Sequence, residues 1–162
     1  MGTDTTKTLS ASEESYIETI GNLIRERGYA RVTEIASILN VKPPSVTNML
    51  QKLDEQKYVT YKRYRGVILT KKGRSLAKTL ERRHNTLKRF FVMIGVSDEN
   101  AEKDACKIEH EIDPETAKKL AKFVEFVQSA PRTPPFLEHF TQYLETGERP
   151  KECKVKIQIK ES

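Results

Sequence analysis

Long apolar runs are missing from this 162-residue chain. No stretch approaches the ~18 consecutive apolar residues that a membrane-spanning helix needs. The opening MGTDTTKTLSASEES has no apolar segment of the kind a secretory signal carries. Cysteine is scarce: Cys106 and Cys153 stand 47 positions apart, which makes no disulfide scaffold and suits a reducing, cytoplasmic setting. Internal repeats and low-complexity stretches are absent. So is any glycine-rich loop that would cradle an oxyanion. Nothing signals a small-molecule substrate pocket, so neither an enzyme nor a membrane protein is expected.

What is present is charge, unevenly placed. The net charge is +6, yet residues 31–90 hold 15 Lys/Arg against 4 Asp/Glu, while residues 91–150 hold 7 against 12. A basic front and an acidic back point to a polyanion partner for one part and a different task for the other.

Residues 1–9 read as a disordered tail. Ser10 or Ser12 can cap a first helix with Glu13 and Glu14 in its first turn, and Tyr16, Ile17, Ile20, Leu23 and Ile24 recur at helical spacing. Thr33 is the expected cap of a second helix, EIASILN, with Ile35, Ala36, Ile38 and Leu39 inward. PPSVTNMLQKLDEQ is a third, with Pro43 and Pro44 where prolines are tolerated and Val46, Met49, Leu50 and Leu53 buried. YVTYKRYRGVILT alternates like two strands turning at Arg65-Gly66. Three helices followed by a basic-tipped hairpin is the order of a winged helix-turn-helix.

That order assigns DNA contacts. The third helix enters the major groove by its N-terminal end, presenting Ser45, Thr47 and Asn48 to base edges or phosphates, with Lys42, Pro44 and Lys52 on the same element. Lys62, Arg63 and Arg65 form the wing. The expected partner is double-stranded operator DNA, and a solvated basic face is the plain alternative.

A long helix from about Thr70 to Ile94 follows, weakened at Gly73, with Leu76, Leu80, Leu87, Phe90, Phe91 and Ile94 as its stripe. GVSDENAEKDACKIEHEI is a further helix capped by Ser97. DPETAKKLAKFVEFVQSA opens on an Asp-Pro cap, and FLEHFTQYLETG ends at Gly147. These pieces need a partner to cover their apolar faces, and a homodimer is the simplest. The expected domains are 10–74, a winged helix-turn-helix; 75–146, a helical metal-binding and dimerisation domain; and 147–162, a tail whose ECKVKIQIKES alternates like an exposed strand.

Within DACKIEHEID, Cys106, Glu109 and His110 stand at i, i+3 and i+4, one face of a continuous helix. Simple packing is one explanation. Cys–His nucleophilic catalysis is another, weakened by the shared helix and the missing oxyanion loop. The third is a divalent metal, for which thiolate, carboxylate and imidazole are all ligands. Further donors would come from His84 and from Glu18, with Ser15 and Glu14 beside it. A metal there would join the first helix to the helical half and let an ion set the geometry of a DNA reader. A metal-independent or redox-sensing winged-helix regulator is the rival.

SEESYIETI, KPPSVTNMLQKLDEQKYV, YKRYRGVILTKKG, RRHNTLKRFF, IGVSDENAEKDACKIEHEID and SAPRTPP together resemble the diphtheria toxin repressor (DtxR/MntR) family of iron- and manganese-dependent repressors over roughly residues 10–143. The resemblance implies a mainly α fold, a winged helix followed by a helical dimerisation domain, with divalent metal as corepressor. An SH3-like third domain is not expected. Cys106, Glu109 and His110 match ligands of the iron-type members. Manganese-type members carry Glu in place of Cys106 and a ligand matching Glu18, and His84 matches a ligand in both. The chain departs at Ser15, usually Met or Asp, so this contact passes through water or moves to Glu14. It departs again at Lys88 and Glu102, in place of a carboxylate and a histidine; these two are expected to pair, and Glu102 is also a candidate metal ligand. The thiolate favours Fe(II), with Mn(II) second and Co(II), Ni(II) or Zn(II) able to substitute. The expected function is repression of metal-uptake genes when metal is bound.

Overall fold

The structure is a computed structural model and describes residues 9–63 and 65–150. The expected disordered start and most of the C-terminal tail, with Cys153, lie outside the described residues. The elements run α1 (Ala11–Arg27), α2 (Val32–Ile38), α3 (Pro43–Glu55), β1 (Val59–Lys62), β2 (Gly66–Leu69), α4 (Lys71–Met93), α5 (Asp98–Ile108), α6 (Pro114–Gln128) and α7 (Pro135–Thr146). No described helix is long and apolar enough to cross a membrane. The residues pack as two units. One runs through His84 and takes in Lys107–Glu111; the other holds Asn85–Cys106 and continues from Ile112.

In the first unit, Ser10 is the cap of α1. Its Oγ accepts from Glu13 N–H, and Glu13 Oε2 accepts from Ser10 N–H at 2.8 Å, a reciprocal capping box. Glu13 is buried and does a second job: Gln56 Nε2 donates to it at 2.9 Å and Lys52 Nζ lies 3.1 Å away. The start of α1 is thereby pinned to the end of α3. Burial pushes the Glu13 carboxyl up, but the bonds from Ser10, Gln56 and Lys52 outweigh it and bring the pKa from 4.5 to about 2.

A depressed carboxylate contributes stability above its unfolded pKa and loses it as pH falls through the folded one. Glu13→Gln is therefore expected to cost about 1–3 kcal/mol at neutral pH. The difference from the native chain shrinks between pH 4.5 and about 2. Urea unfolding with chelator, repeated down that range, checks it; a pH-independent difference would contradict it.

The helix-turn-helix follows the apolar pattern. Ile35, Ala36, Val46, Leu50 and Leu53 are buried with Tyr16, Ile17, Ile20, Leu23 and Leu80 in one core. Two details differ from the sequence expectation. The α2 helix starts at Val32 with Arg31 in the cap position, not Thr33, because Glu34 reaches back to accept Arg31 N–H at 3.2 Å. Ile38 is 58% exposed rather than inward, since α2 stops there after two turns.

The wing pairs antiparallel, Val59 opposite Leu69 through Lys62 opposite Gly66. Val59, Val67 and Leu69 face the core and Ile68 faces out, the alternation expected of a half-covered hairpin. An isolated bridge joins Ala30 to Val67, so the segment before α2 forms a third rung beside the wing. Thr70 caps α4, its Oγ1 accepting from Gly73 N–H at 3.1 Å.

The second unit has a thin core. Leu87, Ala101, Ala105, Val124 and Val127 are buried, and an aromatic chain runs Phe91–Phe90–Phe123–Phe136 with centroid distances of 5.9 to 6.5 Å. Asp113 caps α6 by accepting from Glu115 N–H at 2.8 Å, as its Asp-Pro start predicts. Phe126, Phe136, Tyr143 and Leu144 remain exposed, and α7 has no buried residue. The described residues cover little of this apolar surface.

Candidate metal centre and DNA-reading face

Glu14, Ser15 and Glu18 lie on consecutive turns of α1, and His84 is mid-way along α4. Glu109 and His110 sit just past the end of α5. All belong to the first unit. The α5 helix ends at Ile108, which corrects the single-face reading of Cys106, Glu109 and His110. Cys106 is on the helix and exposed, while Glu109 and His110 occupy the turn after it. Two causes act together. Asp113 must be extended to precede Pro114 and cap α6. Arg83 Nη1 also donates to the Glu109 carbonyl at 2.8 Å, holding the chain in the turn.

His110 is fixed on both ring nitrogens. Nδ1 lies 3.0 Å from Glu14 Oε2. Nε2 lies 3.2 Å from Ser15 Oγ and 3.7 Å from both Glu18 Oε2 and Glu109 Oε1. Ser15 Oγ also donates to Ala11 C=O at 3.0 Å, and the direction of its contact with Nε2 follows the imidazole tautomer. His84 Nδ1 is 3.2 Å from Glu109 Oε2, and ligand atoms of Glu18, His84 and Glu109 fall within 4.8 Å of one another.

The electrostatics are unbalanced. Burial first, and then the negative charge of Glu109, hold the Glu18 carboxyl above the usual range, against the pull of both imidazoles. The bond to Glu14, working against burial, raises His110, with the charges of Glu109 and Glu18 adding to it. Glu109 is 1% exposed and its Oε2 accepts no hydrogen bond; the nearby His84 nitrogen is within ion-pair distance but not aligned as a donor. A buried carboxylate oxygen without a donor costs several kcal/mol unless a cation meets it.

A divalent first-row ion fits this gap. Bonds of about 2.0–2.2 Å put neighbouring ligand atoms about 3 Å apart and opposite ones about 4 Å apart, the scale of the separations seen here. Glu18, His84, Glu109 and His110 can hold such an ion through oxygen and nitrogen, with the Ser15 oxygen beside them.

Glu14 is differently employed. Its Oε2 is taken by His110 Nδ1 and by Arg83 at 3.5 Å. Glu102 lies on α5 with Lys88 Nζ at 2.9 Å, and Asp98 joins the same ammonium at 3.2 Å, so the expected Lys88–Glu102 pair is present. Arg83 was missed by sequence reasoning, because it stood in a run of basic residues; its one distinguishing mark was its place beside His84.

Elsewhere in the first unit, Lys42, Pro44, Ser45 and Asn48 are exposed at the start of α3, and Lys62, Arg63 and Arg65 at the wing tip. Thr47 is half-buried and donates to Pro43 C=O at 3.3 Å. Lys52 is drawn to Glu13, which gives that lysine a structural task.

Comparison with known proteins agrees with both halves. Residues 8–67 match the family model "Iron dependent repressor, N-terminal DNA binding domain", and residues 70–138 match "Iron dependent repressor, metal binding and dimerisation domain". The chain is 43% identical to the HTH-type transcriptional regulator MntR of Geobacillus kaustophilus over 137 residues, 85% of this chain and 97% of that one. It is 44% identical to MntR of Bacillus subtilis over 117 residues, 72% and 82% of the two chains. Among solved structures, T. acidophilum IdeR superposes with TM-score 0.63 at 29% identity over 78% of this chain and 58% of that one. The manganese regulator SloR gives 0.61 at 27% identity over 70% and 54%. With a winged helix, a helical module and a buried nest of carboxylates and imidazoles in hand, the chain belongs to the iron-dependent repressor (DtxR/MntR) family, whose members are metal-dependent, DNA-binding transcriptional repressors that work as dimers and not as enzymes.

Proposed function

We propose that Glu18, His84, Glu109 and His110 hold the corepressor ion, that manganese(II) is preferred to iron(II), and that the loaded dimer represses metal-uptake genes in the cytoplasm. The observation that carries the site is the buried Glu109 oxygen without a donor. A bound cation supplies the positive charge that this oxygen and the Glu18 carboxylate lack. Glu14 acts as an orienting residue: by accepting from Nδ1 it leaves His110 Nε2 for the ion, the usual arrangement of a carboxylate behind a ligating histidine. Residues 10–74 read DNA and residues 75–146 dimerise and complete the metal response.

Manganese is placed first because the assembled donors are carboxylate, imidazole and hydroxyl, a hard set. This reverses the order that a Cys106 thiolate suggests, since the donor atoms grouped with Glu109 are those of Glu18 and His84. The MntR relatives and the manganese regulator SloR support the same order.

Anaerobic competition between Mn(II) and Fe(II), read by Mn(II) electron paramagnetic resonance, tests it. Cys106→Ser is expected to leave the Mn(II) affinity within about threefold, because one lost ligand would cost tenfold or more. A larger loss would return the thiol to the ligand set and restore iron as first choice.

A further inference from the structure

Beside the wing lies a cleft of about 500 Å³ lined by Tyr29, Arg31, Thr33, Tyr61, Arg63 and Arg65, among others. Among the described residues no carboxylate lines it. The acid next to it in sequence, Glu34, is turned to Arg27 at 2.8 Å and to Arg31 N–H. Three guanidinium groups, two phenols and a hydroxyl with no acid make a site for an anion.

The cleft is built rather than incidental. The Arg31 guanidinium rests over the Tyr29 ring at 4.7 Å, which limits the freedom it would lose on binding. The bridge from Ala30 to Val67 fastens this segment to the wing. Gly66 makes that closeness possible. It has φ +87°, and a Cβ there would stand 2.9 Å from the Ala30 carbonyl oxygen. Arg31 and the wing arginines are thus held on two sides of one cleft, near the hairpin that a winged helix lays along a duplex.

We infer that this cleft is a phosphate clamp: Arg31, held by Tyr29 and lining the cleft together with Arg65, grips a phosphodiester of the operator backbone beside the bases that α3 reads. The inference rests on the DNA-reading assignment and adds to it residues outside α3 and the wing tip. The clamp positions the protein on the duplex and carries no sequence preference of its own.

The test uses a duplex enriched from a random pool by the native Mn(II)-loaded chain, with fluorescence anisotropy across a salt series. Arg31→Ala is expected to weaken binding about three- to tenfold at ~0.15 M salt. The slope of log affinity against log salt should become shallower by about 1, and the preference for the selected duplex over a scrambled one should stay unchanged. Arg31→Lys keeps the charge and should return the slope. Tyr29→Phe should behave as the native chain, and Tyr29→Ala should fall between native and Arg31→Ala. Melting of each variant separates these effects from unfolding.

Native slope and affinity in a folded Arg31→Ala would overturn the clamp. A pool that yields no enriched duplex would overturn the DNA-reading assignment instead. Replacing chloride by inorganic phosphate at equal ionic strength separates a backbone diester from a free phosphate ligand. The clamp predicts equal effect on native and Arg31→Ala chains. A phosphate-specific loss confined to the native chain would make the cleft a free-anion site and sink the backbone assignment.

Discussion

Glu109→Gln is expected to abolish the response to metal while leaving the fold intact. The substitution keeps the shape of a side chain that is 1% exposed and removes one negative charge from a nest that also holds Glu14 and Glu18. Its Oε2 accepts no hydrogen bond, so relief of the repulsion with Glu18 is set against the loss of its attraction to His84 and His110. Metal-free Glu109→Gln should therefore melt near the native temperature.

Glu18 shows the same strain. Its pKa is raised by burial and by Glu109, and a raised carboxyl contributes stability that disappears as pH rises through the raised value. Neutralising Glu109 reduces that loss at neutral pH. Loaded with Mn(II), the native chain should bind its selected duplex about 5- to 150-fold more tightly than with chelator, the range of a typical coupling of ~1–3 kcal/mol. Glu109→Gln should show no such rise. A variant that still tightened on DNA with metal would remove Glu109 from the ligand set.

Gly73→Ala should cost about 2–4 kcal/mol, a fall of roughly 6–12 °C in melting temperature for a chain of this size. Helix propensity alone predicts a gain, since alanine in a helix is worth up to ~1 kcal/mol over glycine. Packing decides otherwise. A Cβ at Gly73 would collide with the Tyr58 carbonyl oxygen and stand 3.2 Å from Leu69 Cδ2. The first obstacle is backbone, so no rotamer change relieves it. Either the first turn of α4 or the chain leading into β1 must shift, and with it the cap that Thr70 places on Gly73 N–H. Differential scanning calorimetry with chelator reads the result, and an unchanged or higher melting temperature would show that this contact is softer than it looks.

Gly73 also shows where a sequence stops being informative. As a residue in a helical pattern it reads as a weak spot; the reason for it is a carbonyl 15 positions earlier. The local features were readable because their causes are local. The Ser10–Glu13 box, the Asp113-Pro114 start, the Gly147 stop and the alternation of the wing each depend on a few neighbouring residues. The gathering of Glu18, His84, Glu109 and His110 was readable as a list of metal donors, but not as geometry.

Cys106 shared their spacing and was read as part of the same face. The helix itself stops at Ile108, an ending aided by the Arg83 bond to the Glu109 carbonyl, a contact between distant parts of the chain. Thr33 lost the cap of α2 to the reach of Glu34, and Lys52 turned toward a buried acid on another helix. No period or spacing carries such information.

The most direct measurement of the central claim is operator affinity of the native chain with chelator and with Mn(II), at fixed salt, using the selected duplex and His110→Ala alongside. The account predicts at least a tenfold rise with Mn(II) in the native chain and none in His110→Ala. Equal affinity with and without metal, in a chain that binds Mn(II), would contradict it, and the cluster around Glu109 would then have no part in controlling DNA binding.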